Sequence, residues 1–455
     1  MDKKSIYSEV QDLEPVCMDI CRTVWENPEQ SGSEQKCPAY LADLLREEGF
    51  RITVDENVPN AFIAEYGSSR PCIAIIGEYD ALPGLSQKAG CTAREAVTEG
   101  GPGHGCGHNL LGAGAATAAI AVRRFLEKSG NAGTVRFYGC PEEELLQGKV
   151  KMAYYHMFDG CDAAITWHPG VANMAHDRAY LANVSAHYYF TGKSSHAAFA
   201  PELGRSALDA VELMSVGANY LREHVIDFTR IHYTTDSGGF APNIVPSQAS
   251  AWYYIRAPHQ EDVQSTLKRL NKVAQGAALM TETDVRIEEG TSCSEFVENT
   301  SFADIAYENL TEAPRPSYTK AELDFARKLQ GTLDPASLTA ARDQYGIDLM
   351  ADGVSPRGLW ESCEMKSSSD SGDLSRMMPS CVFTTACWPV GVAYHTWQVT
   401  AAGGTSLGSK GALYAAMAAA GIAYDLLTEP DKLERITEEF HQRNSEEYIP
   451  LYKES

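Results

Sequence analysis

Basic residues are scarce in this chain: 38 lysines and arginines stand against 61 aspartates and glutamates in 455 residues, a formal net charge of −23. A field of that sign repels phosphate backbones and anionic headgroups, so neither nucleic acid nor a membrane is an expected partner. An anionic substrate would have to be captured by local positive charge, either metal ions or a particular arginine. Long apolar runs are also missing. None reaches about eighteen residues, and the stretch Met1–Pro15 has no apolar core of the length a signal peptide needs, so a cytoplasmic location is expected. Short repeats and low-complexity tracts are absent, which excludes a solenoid or a long disordered region. The 12 cysteines lack paired spacing, and Cys72, Cys140, Cys161, Cys381 and Cys387 sit inside apolar runs as reduced core thiols do. No disulfide is expected. Cys106 alone does not read as core filler.

The length exceeds one ordinary core and implies two domains, or one large domain carrying an insertion. From Glu34 to Phe50, Cys37, Tyr40, Leu41, Leu44 and Leu45 share one helical face, and Gly49 suits the C-cap. Cys72–Gly77, Thr134–Gly139 and Ala163–Trp167 are short apolar runs of the kind made by strands buried on both faces, and Leu110–Leu126 reads as a buried helix between them. This alternation predicts an α/β domain with a mostly parallel sheet. Each run ends in chemistry: the first in Glu78, Tyr79 and Asp80, the second in Glu142, Glu143 and Glu144, the third in His168. Cys381–Trp388 reads as a further strand with His395 just beyond it. Ligands of open α/β sheets bind beyond the carboxyl ends of the strands, so these segments are expected to converge.

From Ala182 to Glu289 the pattern changes to extended, helical, extended, extended, helical, extended. This is the split βαβ, ferredoxin-like order of a self-contained unit. The expected organisation is a metal-binding domain over 1–181 and 290–455, interrupted by an inserted domain over 182–289. Thr311–Met365, rich in proline, serine and charge, receives no assignment.

The densest motif is Gly103-His104-Gly105-Cys106-Gly107-His108-Asn109. A thiolate and an imidazole two residues apart in a glycine-rich turn can reach one metal, and sulfur with nitrogen suits zinc or a similar ion. Such a turn is also an ordinary helix entry. Three adjacent glutamates, Glu142 to Glu144, repel each other unless they lie in water or a cation neutralises them. Beside a metal, one of them could ligate while its neighbour handles a proton. His168 and His395 are unremarkable taken singly.

Eight segments in order, GEYDALPG (77–84), GHGCGHNLLG (103–112), FYGCPEEE (137–144), TWHP (166–169), SSHAAFAPELGRSALDA (194–210), PNIVPSQA (242–249), YYIRAP (253–258) and HTWQ (395–398), resemble the co-catalytic metallopeptidases of the aminoacylase and carboxypeptidase-G type, in their amidohydrolase branch. The resemblance implies a zinc-exopeptidase-type catalytic domain with a dimerising lid. It further implies two divalent ions in each protomer, zinc, manganese or cobalt, held by Cys106, His108, Glu144, His168 and His395, with Cys106 bridging. Glu143 would be the general base, and Asp80 would orient a ligand. His196 would reach across a dimer to the scissile carbonyl, while Asn243 and Arg256 would hold substrate. The implied reaction is hydrolysis of an N-acyl amino acid, an aroyl-glutamate such as p-aminobenzoyl-glutamate first. Deamination of an aromatic acid and a non-catalytic, metal-binding role beside a catalytic partner are the alternatives. The partner would be a second copy or a paralogous chain. The motif departs at Glu142, Leu145 and Leu146, where the family carries small residues.

Overall fold

A computed structural model describes residues 2–176, 180–358, 367–445 and 447–454. The chain forms two compact units. The first is Met1–Ala179, Val297–Glu364 and Leu374–Tyr448; the second is Tyr180–Phe296, Met365–Asp373 and Ile449–Ser455.

The first unit is built on a seven-stranded sheet in the order Arg51–Asp55, Val58–Gly67, Thr134–Cys140, Cys72–Glu78, Ala163–Gly170, Ser380–Ala386, Met174–His176. The central strands Thr134–Cys140, Cys72–Glu78, Ala163–Gly170 and Ser380–Ala386 are mutually parallel. Antiparallel pairings are confined to the edges, where Val58–Gly67 and Met174–His176 pair with them. Every residue of Cys72–Glu78 is buried, as the unbroken apolar run requires. Helices His108–Ser129 and Ser406–Thr428 supply much of the core, and their alanines allow close approach. At Gly114 a Cβ would lie 2.7 Å from the Trp167 ring and 2.9 Å from the Ala412 carbonyl, so only glycine fits between sheet and helix. Ser406–Thr428 is the one helix among the described residues long and apolar enough to cross a membrane, and 89% of its apolar window is buried inside the protein.

The 311–365 stretch contains two helices. Lys320–Gln330 begins with a capping box in which Thr319 and Glu322 satisfy each other's backbone N–H. Pro335–Tyr345 has Asp334 as its N-cap and Gly346 at its end. The second helix buries nothing, which is why no apolar stripe announces it. Residues 359–365 of that stretch lie outside the described residues.

The second unit carries an antiparallel sheet in the order Arg230–Ser237, Gln248–Ala257, Ala182–Thr191, Asp284–Cys293. Val184, Ala186, Tyr188 and Phe190 alternate with Ala249, Ala251, Tyr253 and Ile255 to bury one face beneath helices Ala207–Leu221 and Gln260–Thr281.

Candidate metal centre

The four parallel strands release their chains at the same edge of the sheet. Their order sets Glu78 and Asp80 between the glutamate loop that follows Cys140 and His168, near the end of the neighbouring strand. The Cys106–His108 turn enters the same space through Gly107. This residue has φ +84°, and a Cβ on it would meet Pro169 at 2.8 Å and Trp388 at 3.0 Å. No other residue type can both turn there and fit, so glycine fixes the two flanking side chains relative to each other.

Two sets of donor atoms result, each with all members within 4.8 Å of one another: Cys106, His108 and His168, and Cys106, Glu144 and His395. Cys106 is common to both. A third set joins Glu78, His108 and Glu143. The Cys106 Sγ lies 3.5 Å from His168 Nε2, and His395 Nε2 lies 3.4 Å from Glu144 Oε2.

The imidazoles are prepared from behind. His108 Nδ1 donates to Asp80 Oδ1 at 2.7 Å, and His168 Nδ1 donates to the Pro169 carbonyl at 2.9 Å. In their neutral form both rings therefore present a bare Nε2 to the cluster, the arrangement metal-binding histidines use. The other oxygen of Asp80 accepts from Ser31 Oγ at 2.8 Å and from the Glu144 backbone N–H at 2.9 Å, so one carboxylate orients a histidine and the glutamate loop together. Burial opposes ionisation of Asp80, but the facing His108 charge and these hydrogen bonds outweigh it and hold the carboxyl at about 2.

The loop itself is a single turn, Glu143–Leu145, flanked by two non-glycine residues in the left-handed region, Glu142 (φ 59°) and Leu146 (φ 55°). Glycines would be unstrained at such angles, so Leu146 carries strain that the surroundings must hold. Glu142 is fixed by its N–H donating to Glu34 Oε1 at 2.8 Å, and its Oε2 accepts from Gln147 Nε2 at 2.9 Å. It serves as a prop of the loop. His395 is also left-handed, at φ 62°, with its N–H on the Gly105 carbonyl at 2.8 Å, so the cysteine turn and the late histidine are tied directly.

The donor set fits a cation. Among the described residues, Glu78 Oε2, His108 Nε2 and Glu144 Oε1 are buried without a hydrogen-bond partner, and all three belong to these groups. Burial first, then the charge of Asp80, pushes Glu144 up to about 7 against the pull of His108, and burial with the charge of Glu144 raises the Cys106 thiol. Burial would strip His108 of its proton, yet Cys106 and Asp80 raise its pKa well above the ordinary value. Buried donors that compete for protons in this way are what a divalent ion relieves.

Of the residues singled out from the sequence, Asp80, Cys106, His108, Glu143, Glu144, His168 and His395 thus share one place in the first unit. His196, Asn243 and Arg256 belong to the second. His196 is exposed, and its Nδ1 accepts from the N–H groups of Ala198 (3.3 Å) and Phe199 (3.1 Å), which leaves the ring proton on Nε2. Asn243 is exposed and Arg256 partly buried, with its Nε 3.3 Å from His232 Nε2. Sequence reasoning gives Glu78 no role beyond its place after a strand and passes over Lys149, whose Nζ lies 2.7 Å from Glu78 Oε1. The only signal for Lys149 is a lysine that follows closely on the glutamate loop.

Residues 182–281 match the model of the peptidase dimerisation domain of the M20 family. The chain is 42% identical to one of the named subunits of p-aminobenzoyl-glutamate hydrolase of Escherichia coli, over 93% of this chain and 92% of that one. It is 28% identical to human Xaa-Arg dipeptidase over 94% and 89%. Its fold matches a dinuclear metal-binding M20 peptidase of Bacillus subtilis (TM-score 0.58, 17% identity, 92% of this chain and 99% of that one) and an aminobenzoyl-glutamate utilization protein of Klebsiella pneumoniae (TM-score 0.57, 14% identity, 91% and 97%). Sequence, fold and donor geometry agree, and the chain belongs to the M20 family of amide-cleaving metallopeptidases.

Proposed function

We propose that this chain hydrolyses the amide bond of an N-acyl amino acid, with p-aminobenzoyl-glutamate the first candidate substrate, at a pair of divalent ions that Cys106, His108, Glu144, His168 and His395 would hold. The observation that carries the reading is the pair of donor sets sharing one thiol, with Glu143 alongside. The substrate assignment draws on the p-aminobenzoyl-glutamate hydrolase relative at 42% identity. His108 and His168 would complete one ion's protein ligands, and Glu144 and His395 the other's. Mixed sulfur, nitrogen and oxygen donors suit zinc, manganese or cobalt. Ions bound there would lower the pKa of water to about 7 and polarise a carbonyl.

Glu143 then has a defined task. Its Oε2 lies 3.8 Å from His108 Nε2, at the rim of the cluster, where it can take a proton from the attacking water and deliver it to the departing amine. Neighbouring Glu144 is committed to the cluster, so the two carboxylates divide metal binding from proton transfer. In the second unit, His196 presents an Nε2–H, the form able to donate to a developing oxyanion. Arg256 supplies the cationic fork for a substrate carboxylate that the overall charge of −23 would otherwise repel, and Asn243 supplies an amide for its carbonyl. Association with a second chain through the dimerisation domain would let His196 act in the partner's site. That chain is a second copy or a paralogue. The paralogue reading has support from the name of the E. coli relative, which makes it one part of a multi-subunit hydrolase, and from a 26% identical protein of Haemophilus influenzae named as the homologue of a different part of that enzyme.

The test is Glu143→Gln. It is expected to keep two ions by elemental analysis while turnover of p-aminobenzoyl-glutamate falls by about 10² to 10⁴. Retained turnover would remove Glu143 from this role.

A further inference from the structure

Glu78 ends the strand Cys72–Glu78 with its carboxylate 5% exposed, and Lys149, with its side chain 0% exposed, holds one of its oxygens at 2.7 Å. A lysine so fully enclosed is rare and needs a reason. An ordinary buried ion pair would satisfy both carboxylate oxygens, since a bare one costs the full desolvation of that atom. Here Oε1 is satisfied by the ammonium, while Oε2 is buried with no hydrogen-bond partner. That atom faces His108 Nε2 at 3.4 Å, itself buried and without a partner, and His108 already donates its Nδ1 proton to Asp80. With His108 in the neutral form a metal ligand must take, two lone-pair donors confront each other across a gap suited to a positive charge. Glu143 joins them within 4.8 Å.

We propose that Glu78 is a further oxygen ligand of the ion held at His108, and that Lys149 is the positioning residue that aims it. The inference rests on the two-ion reading above. Lys149 lies in the helix Gly148–Tyr154, which starts shortly after the Glu143–Leu145 turn. One short segment thus delivers the base, a ligand of the second ion and the clamp on a ligand of the first. Lys149 also offsets part of the negative charge gathered by Asp80, Glu78, Glu143, Glu144 and Cys106, so the cluster holds together before metal arrives.

The experiment is zinc titration against a chromophoric chelator, with the full chain and the double variant Glu78→Gln/Lys149→Met. Replacing both members of a buried pair leaves no orphaned charge, so the fold is expected to survive. The wild-type chain is expected to take up two ions tightly. The double variant should keep one and bind the other about 10- to 100-fold more weakly, the range for altered metal surroundings. Two ions bound by the double variant with wild-type affinity would overturn the inference and leave the two-ion reading standing. Fewer than two ions in the wild type would overturn both. If the double variant fails to fold, the zinc-loaded wild-type crystal structure decides: Glu78 Oε2 at about 2.0–2.2 Å from an ion supports the proposal, and any clearly longer separation refutes it.

Discussion

The two units treat their functional side chains in opposite ways. In the first, four of the five donors are locked by a second contact: His108 by Asp80, His168 by the Pro169 carbonyl, His395 through its backbone to Gly105, and Glu144 through its N–H to Asp80. In the second, His196 and Asn243 lie on the surface, and the His196 ring is held by backbone N–H groups three residues or fewer away. On the proposed reading, the contrast separates two kinds of site residue. A metal ligand must be organised before the ion comes, because the ion rewards only a ready-made geometry. A residue that meets the substrate gains its value when substrate or a second chain covers it, so the isolated unit leaves it exposed.

Substitutions can break this contrast in graded ways. The largest effect is expected from Cys106→Ala, which removes the donor shared by the two sets. Both ions should be lost together and turnover should drop to background, as read by elemental analysis and an amide-hydrolysis assay. Loss of one ion alone would mean that the thiol does not bridge. Next, His196→Ala should keep both ions and lower kcat by about 10² to 10³, the cost of removing one oxyanion donor. Mixing it with the Glu143→Gln chain should restore part of the activity if the histidine serves the partner's site, and no recovery would place its action within its own chain.

The smallest effect is on pH. The Glu144 carboxyl, lifted from 4.5 to about 7 chiefly by burial, carries more protons folded than unfolded between those values. Its contribution to metal-free stability is therefore lost as pH rises through that window, and its proton must leave before a cation binds. Zinc affinity should be tighter at pH 8 than at pH 6, while metal-free stability shifts in the opposite sense at this group. Equal zinc affinity at the two pH values would contradict the assignment of Glu144 as a ligand.

Much of the first unit is legible in the sequence because its chemistry follows unbroken apolar strands. Cys72–Glu78, Thr134–Cys140 and Ala163–Gly170 each deliver a polar group at a strand end, and the eye needs only the general rule for parallel sheets. The alternation in Ala182–Thr191 and Gln248–Ala257 makes the second sheet equally plain. What escapes is set by tertiary contact. The Glu78–Lys149 pairing joins residues 71 positions apart with no shared periodicity. The left-handed angle at Leu146 goes against the residue's own preference, so it cannot be read from the sequence. The helices Lys320–Gln330 and Pro335–Tyr345 are hidden by composition, although Thr319 with Glu322, and Asp334-Pro335 with Gly346, are recognisable start and stop signals. In such a stretch the capping residues outweigh the polar composition.

The measurement closest to the central claim is metal content of the purified wild-type chain, taken together with its hydrolysis of p-aminobenzoyl-glutamate before and after chelation. Two equivalents of divalent metal, activity abolished by the chelator and returned by added zinc or manganese, is the outcome expected of ions bridged at Cys106. A metal-free chain that hydrolyses the substrate at an undiminished rate would contradict it.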